Sequence, residues 1–143
     1  MRPTRVGQLR AAGLKLRLLG SGAFREGFKV VNADVVIKFP ISKSTSQGIK
    51  HSAQEVRRIR RLRESSTLAP FLPEVLYYDR ASGVIAMRYY SEFEDFEKQA
   101  DAMGKMIGKM IYRISGVKCT DVHTENVRRG RGRLDCVLID LGF

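Results

Sequence analysis

Along the first forty residues apolar and polar positions alternate in short bursts separated by turn residues. Leu14-Lys-Leu-Arg-Leu-Leu19 has the period of a half-buried strand, after a short helical lead-in at residues 5 to 12. The chain then turns at Gly20-Ser21-Gly22. Phe28-Lys-Val-Val31 predicts a returning strand, Asn32-Ala33-Asp34 a tight turn, and Val35-Val-Ile-Lys-Phe39 a third strand closed by Pro40. These three strands predict an antiparallel meander. The Ser-rich stretch 42 to 47 reads as a loop.

From residue 48 to 64 the period changes. Ile49, Ala53, Val56, Ile59 and Leu62 recur at three- and four-residue steps, which predicts a helix. Glu55 falls on the same side as Ile59 and Leu62, and an acid on an apolar face requires a cation from another segment. Beyond the turn between Pro70 and Pro73, Val75-Leu-Tyr-Tyr78 and Val84-Ile-Ala-Met-Arg-Tyr89 flank Asp79-Arg-Ala-Ser-Gly83 as a second hairpin. A sheet of five strands with one helix against it follows.

Ser91 and Glu94 match a capping box, with acids crowding the start of the next segment and Lys105, Lys109 and Arg113 toward its end. Phe93, Phe96, Ala100, Met103, Ile107, Ile111 and Ile114 then form one stripe, predicting a long helix over 92 to 114 whose apolar face packs into a core. Gly104 and Gly108 would let another segment come close. A loop over 115 to 126, a short strand near Val127, a basic turn at Arg128 to Arg133 and a strand from Leu134 to Ile139 complete the chain.

Composition narrows the class. With 143 residues, 43% hydrophobic and 29% charged, the chain predicts one compact domain or two small lobes sharing a cleft. No apolar run reaches the roughly 18 residues of a membrane span, so no membrane partner is expected. The basic N-terminus lacks a signal-peptide core, which predicts a cytoplasmic protein. Cys119 and Cys136 have no neighbouring ligand cluster and are expected as reduced thiols. A formal charge of +11 favours polyanions. A specific polyanion partner and a merely solvated basic surface both stay open.

The candidate chemistry is spread over four segments. Asp121 and Asn126 stand five residues apart, and Asp140 follows by fourteen at the end of an apolar run. One carboxylate can orient a nucleophile, while an amide oxygen and a second carboxylate are hard ligands for magnesium on nucleotide phosphates. Gly20-Ser21-Gly22-Ala-Phe24-Arg25 lies between two strands, where glycines admit backbone amides to phosphate oxygens. Lys38 closes the Val-Val-Ile-Lys strand, and Glu55 is its expected partner.

In this order the motifs resemble the protein-kinase-like superfamily, in its compact bacterial or phage form with an aminoglycoside-phosphotransferase-like D-x-H-x-x-N loop. The resemblance runs over residues 14 to 143. It implies an α+β fold: an N-lobe over 1 to 90, with a five-stranded antiparallel sheet and one helix, and a reduced, mainly helical C-lobe over 91 to 143. The C-lobe would carry the catalytic loop and a short hairpin. It further implies an ATP- and magnesium-dependent phosphotransferase, a minimal Ser/Thr protein kinase-like enzyme acting on a hydroxyl acceptor. Lys38, held by Glu55, would position phosphates under Gly20, Ser21, Gly22 and Arg25. Met87 would border adenine, with backbone groups of residues 88 to 90, Tyr89 and Tyr90 among them, hydrogen-bonding it. Asp121 would serve as catalytic base with His123 nearby, and Asn126 and Asp140 would bind Mg2+.

The sequence departs from the pattern at several points. Arg25 stands where a third glycine is usual, Gly27 where a valine is usual, and Cys119-Thr120 precedes Asp121 in place of His-Arg. Asp140-Leu-Gly replaces Asp-Phe-Gly. The sequence given stops at Phe143, without the activation segment and later helices that form a peptide platform. Two alternatives therefore remain: a pseudokinase-like nucleotide-binding module whose basic surface, Arg57 to Arg63 and Arg128 to Arg133, holds nucleic acid or an acidic protein, and a small-molecule kinase.

Overall fold

The computed structural model describes residues 5–90, 96–118, 127–129 and 136–138. These residues fall into two units. One holds the helix α1 (Arg5–Ala11), five strands and the next helix, α2, as far as Val56; the other begins at Arg57 within α2, runs to Pro73, and resumes at Tyr90.

In the first unit β1 (Leu16–Ser21), β2 (Arg25–Val30), β3 (Val35–Pro40), β4 (Val75–Asp79) and β5 (Val84–Arg88) form one antiparallel sheet in the order β1-β2-β3-β5-β4. The predicted meander and second hairpin are both present. Asn32, at φ 66, makes the β2–β3 turn, as its short polar side chain permits. One sheet face buries Phe28, Val30, Ile37 and Phe39 together with Val6 of α1. Because β-carbons alternate between faces, the residues between them, Gly27, Lys38 and Met87 among others, line the opposite face.

β1 departs from the expected half-buried strand. It starts two residues later, runs through Gly20 and Ser21, and is almost wholly exposed, with Leu18 and Leu19 both open to solvent. β1 is an edge strand, paired with β2 on one side, and Leu18 is already exposed although its partner Phe28 is buried. A bulge follows: Leu18 pairs with Phe28 and Gly20 with Gly27, so Leu19 is the extra residue and the alternation restarts after it.

The helix α2 (Thr45–Arg63) also begins earlier than expected. The stretch 42 to 47 is not a loop. It is a 3-10 turn, Ser42–Ser44, running into the helix, where the Thr45 hydroxyl donates back to the Ser42 carbonyl at 3.2 Å. Ser and Thr read as loop residues because their hydroxyls compete for the backbone, and here they do so inside the first helical turn.

In the second unit Leu62 of α2, Leu68 and Leu72 around a 3-10 turn (Ala69–Phe71), and Ile107 and Ile111 of α3 (Phe96–Ser115) form an apolar core. The stripe read on α3 is thus a core face at Met103, Ile107 and Ile111, but Ile114 is exposed. Gly116, at φ 76, ends α3 by donating its N–H to the Tyr112 carbonyl at 2.8 Å. The expected start at residue 92 and the Ser91–Glu94 capping box lie outside the described residues. The short antiparallel pair β6 (Val127–Arg129) and β7 (Cys136–Leu138) lies beside α3, a shorter version of the two strands expected there.

Candidate functional site

The first unit brings three charged side chains together on one face of the sheet. Lys38 stands on β3 directly opposite Gly27 of β2, and Arg25 lies two residues before Gly27, so both side chains leave the sheet on the same face. Glu55 of α2 meets them there. Its Oε1 accepts from Lys38 Nζ at 2.7 Å and its Oε2 from Arg25 Nη2 at 2.8 Å, with a longer contact from Oε2 to Lys38 at 3.2 Å. The acid expected to need a cation has two.

Glycine brings α2 this close. A β-carbon at Gly48 would fall 2.5 Å from the Pro40 β-carbon and 2.7 Å from the Phe24 carbonyl oxygen, so only glycine fits between the helix, the end of β3 and the β1–β2 turn. Phe24 stacks on His51 with ring centres 4.6 Å apart, and its carbonyl accepts from the Ile41 N–H at 2.9 Å. Ser52, wholly buried on the same helical stripe, accepts from Arg25 Nη1 at 3.4 Å.

Burial of Glu55 by itself would raise its pKa. The Lys38 and then the Arg25 charges, and the hydrogen bonds from both, outweigh that and hold the carboxyl below the ordinary glutamate value. Two cations share one carboxylate, so the cluster keeps one unit of surplus positive charge on a half-buried surface. That surplus suits an anion such as a phosphate.

Beside it the sheet is bare. Gly20 pairs with Gly27 and Gly27 with Lys38, which puts three neighbouring strands in one row. A β-carbon at Gly20 or Gly27 would meet no atom within 4 Å, and neither glycine has a positive φ. Packing and backbone strain therefore do not require glycine at either position. The row leaves open space along the backbone leading to Lys38.

The remaining predicted residues separate into three groups. Gly20 and Ser21 belong to β1 and pair with Gly27 and Glu26, so the β1–β2 turn is Gly22-Ala23-Phe24 and not Gly20 to Gly22. The Gly22 N–H is engaged, donating to the Arg25 carbonyl at 2.8 Å. Met87 is buried on β5, opposite Val36 and Val75. After it, the Arg88 N–H donates to Glu74 and the Tyr89 N–H to Asp34, so two amides of the predicted adenine segment are used internally; Tyr90 is half-buried. Asp121, His123, Asn126 and Asp140 lie outside the described residues.

Sequence reasoning placed Lys38 with Glu55 but missed Arg25 and Ser52 as their partners. The available signal was the strand alternation, which puts Arg25 on the Lys38 face once Gly27 is paired with Lys38. In the basic run, Arg57, Arg60 and Arg61 are exposed, whereas Arg63 donates to the carbonyls of Leu72 at 2.8 Å and Ala69 at 3.1 Å and clamps the 3-10 turn. Among the described residues no helix is long and apolar enough to cross a membrane.

No protein-family model matches the chain, and no curated protein matches it in sequence. Among solved structures it resembles the ternary complex of streptomycin, ATP and APH(2″)-IIa, with a TM-score of 0.55 and 21% identity over 88% of this chain. The match takes in 46% of that protein, so the chain spans less than half its length. APH(2″)-IIa is an aminoglycoside phosphotransferase of protein-kinase-like fold, and the likeness, with the five-stranded sheet and α2, gives this chain an α+β fold like that protein's N-terminal lobe.

Proposed function

We propose that the chain is an ATP- and magnesium-dependent phosphotransferase. The observation that carries this reading is the Lys38–Glu55 ion pair at 2.7 Å, made between a sheet strand and the helix α2 in a protein-kinase-like fold. Lys38 would hold the α/β-phosphates, and the bare backbone of Gly20 and Gly27 would let the nucleotide lie against the sheet. Met87 would border the base. Asn126 and Asp140 would hold magnesium, which when bound neutralises charge on the transferred phosphoryl group. Asp121 would accept the proton of the acceptor hydroxyl, with His123 two residues on. An enzyme of this kind would work where ATP is available, in keeping with the cytoplasmic location expected from the sequence.

For the acceptor, one observation favours a small-molecule hydroxyl over the protein serine or threonine first expected. The similar structure is a ternary complex with streptomycin and ATP, and Asp121-x-His123-x-x-Asn126, a form met in small-molecule phosphotransferases and in several bacterial kinases, is compatible with such an acceptor. The test is transfer from γ-labelled ATP to a panel of aminoglycosides, other hydroxylated metabolites and proteins, with Lys38→Ala and Asp140→Ala as controls. Transfer that both substitutions abolish supports the reading. Absence of transfer to every class, or transfer undiminished in the variants, sinks it.

A further inference from the structure

Arg25 occupies a position that the phosphate-covering role does not explain. Its guanidinium is committed elsewhere: Nη2 to Glu55 Oε2 at 2.8 Å and Nη1 toward Ser52 Oγ at 3.4 Å. Ser52 and Glu55 are three residues apart on α2, so the planar fork spans one helical turn, a geometry that lysine cannot reproduce. These two bonds take two of the five guanidinium N–H donors and fix the plane of the group against α2.

We propose that Arg25 is a positioning residue that sets the Glu55 carboxylate for Lys38 and ties the β1–β2 turn to α2. Lys38 sits nearest Oε1 at 2.7 Å and reaches Oε2 at 3.2 Å, while Arg25 holds Oε2 at 2.8 Å, so rotation of the carboxylate away from this plane weakens its contacts to both cations. Arg25 also opens β2 directly after the Gly22-Ala23-Phe24 turn, and Phe24 stacks on His51 of the same helix. The turn, Glu55 and Lys38 are thereby joined into one mechanical unit, and a shift of α2 moves all three. The charged groups facing Glu55 are Arg25 from β2 and Lys38 from β3, with His51 one turn earlier on α2. Removing Arg25 removes one of the two cations that offset burial of the carboxylate.

This inference deepens the phosphotransferase reading and rests on it for its kinetic consequence. Its test uses the full chain and the variants Arg25→Met, Arg25→Lys and Ser52→Ala, each confirmed folded by circular dichroism. Carboxyl-carbon NMR of Glu55 between about pH 3 and pH 7 is independent of activity. We expect its titration to move upward in Arg25→Met and back toward wild type in Arg25→Lys. Turnover should fall about tenfold in Arg25→Met, with its acid limb displaced upward, while the affinity for a fluorescent ATP analogue changes less than about threefold. Ser52→Ala should lower turnover in the same direction by a smaller factor and serves if Arg25→Met does not fold.

An unmoved Glu55 titration in Arg25→Met overturns the proposal. So does a loss of nucleotide affinity with turnover intact, which would make Arg25 a phosphate ligand. If wild type shows no transfer while the titration moves as expected, the phosphotransferase reading fails and the positioning of Glu55 by Arg25 stands.

Discussion

Up to Val56, α2 presents Gly48, Ser52 and Glu55 to its surroundings; from Arg57 onward the same helix presents Ile59 and Leu62. Apart from the buried Val56 and the His51 ring stacked on Phe24, the first half touches backbone and charge. The Gly48 site admits no β-carbon, Ser52 is buried beside a guanidinium, and Glu55 holds two cations. In the second half, Leu62 joins Leu68, Leu72, Ile107 and Ile111 in an apolar core, while Arg57, Arg60 and Arg61 face solvent. Apolar contact is tolerant of shape and contributes stability in proportion to the area buried. Hydrogen-bonded charge contributes little net stability but fixes geometry, because a misplaced partner leaves an ion without its counterpart. The helix therefore spends its first half on position and its second on stability.

The largest effect should come from the stabilising side. Ile107→Ala removes a wholly buried side chain from the second unit's core and should cost about 2–5 kcal/mol in chemical denaturation. A loss below about 1 kcal/mol would mean that this core is not what holds the unit.

On the positioning side, Glu55→Gln should cost about 1–3 kcal/mol, because Lys38 and Arg25 lose their shared anion in a half-buried place. Its pH dependence carries the sign. The folded carboxyl lies below its ordinary value, so the stabilisation is complete above about pH 4.5 and is lost as the pH falls through the lowered folded value. Denaturation of wild type and Glu55→Gln should give a constant difference near neutral pH and converge in acid. A difference that grows in acid would contradict the assignment.

Gly48→Ala should cost about 1–3 kcal/mol by forcing α2 away from Pro40 and Phe24. It should also lengthen the Glu55 contacts, so activity should fall further than stability alone explains; an unchanged melting temperature would show that the helix has room. The smallest stability effect belongs to Gly27→Val. Its β-carbon meets no atom, so stability should stay within about 0.5 kcal/mol while affinity for a fluorescent ATP analogue drops. Unchanged affinity would mean that the open row does not receive the nucleotide.

Much of this was legible in the chain itself. Short β-branched and aromatic runs bounded by turn residues located β2, β3 and the β4–β5 hairpin, although β2 begins three residues earlier than expected, and the three-to-four period located α2 and the core stripe of α3. Glu55 announced a partner because an acid cannot be buried alone, and the Val-Val-Ile-Lys strand offered Lys38. β1 was misjudged because it is an edge strand that also carries a bulge at Leu19, and neither its place in the sheet nor a bulge, which depends on the partner strand, is written in its own residues. The start of α2 was misjudged because Ser and Thr favour loops and helix starts alike. Asp121, His123, Asn126 and Asp140, read together from spacing alone, remain the part of the proposed site that rests on the sequence.

The sequence by itself determined most of the strands and helices without their exact bounds, that Glu55 needs a cation, and that Lys38 is available to it, since these follow from local residue patterns and the cost of burying charge. Only the tertiary structure decided that Arg25 takes the second carboxylate oxygen, that Gly48 lets α2 settle against Pro40 and Phe24, and that Gly20 and Gly27 line up in one open row beside Lys38. Those depend on strand register and on how closely a helix can approach a sheet, which residues far apart in the chain set together.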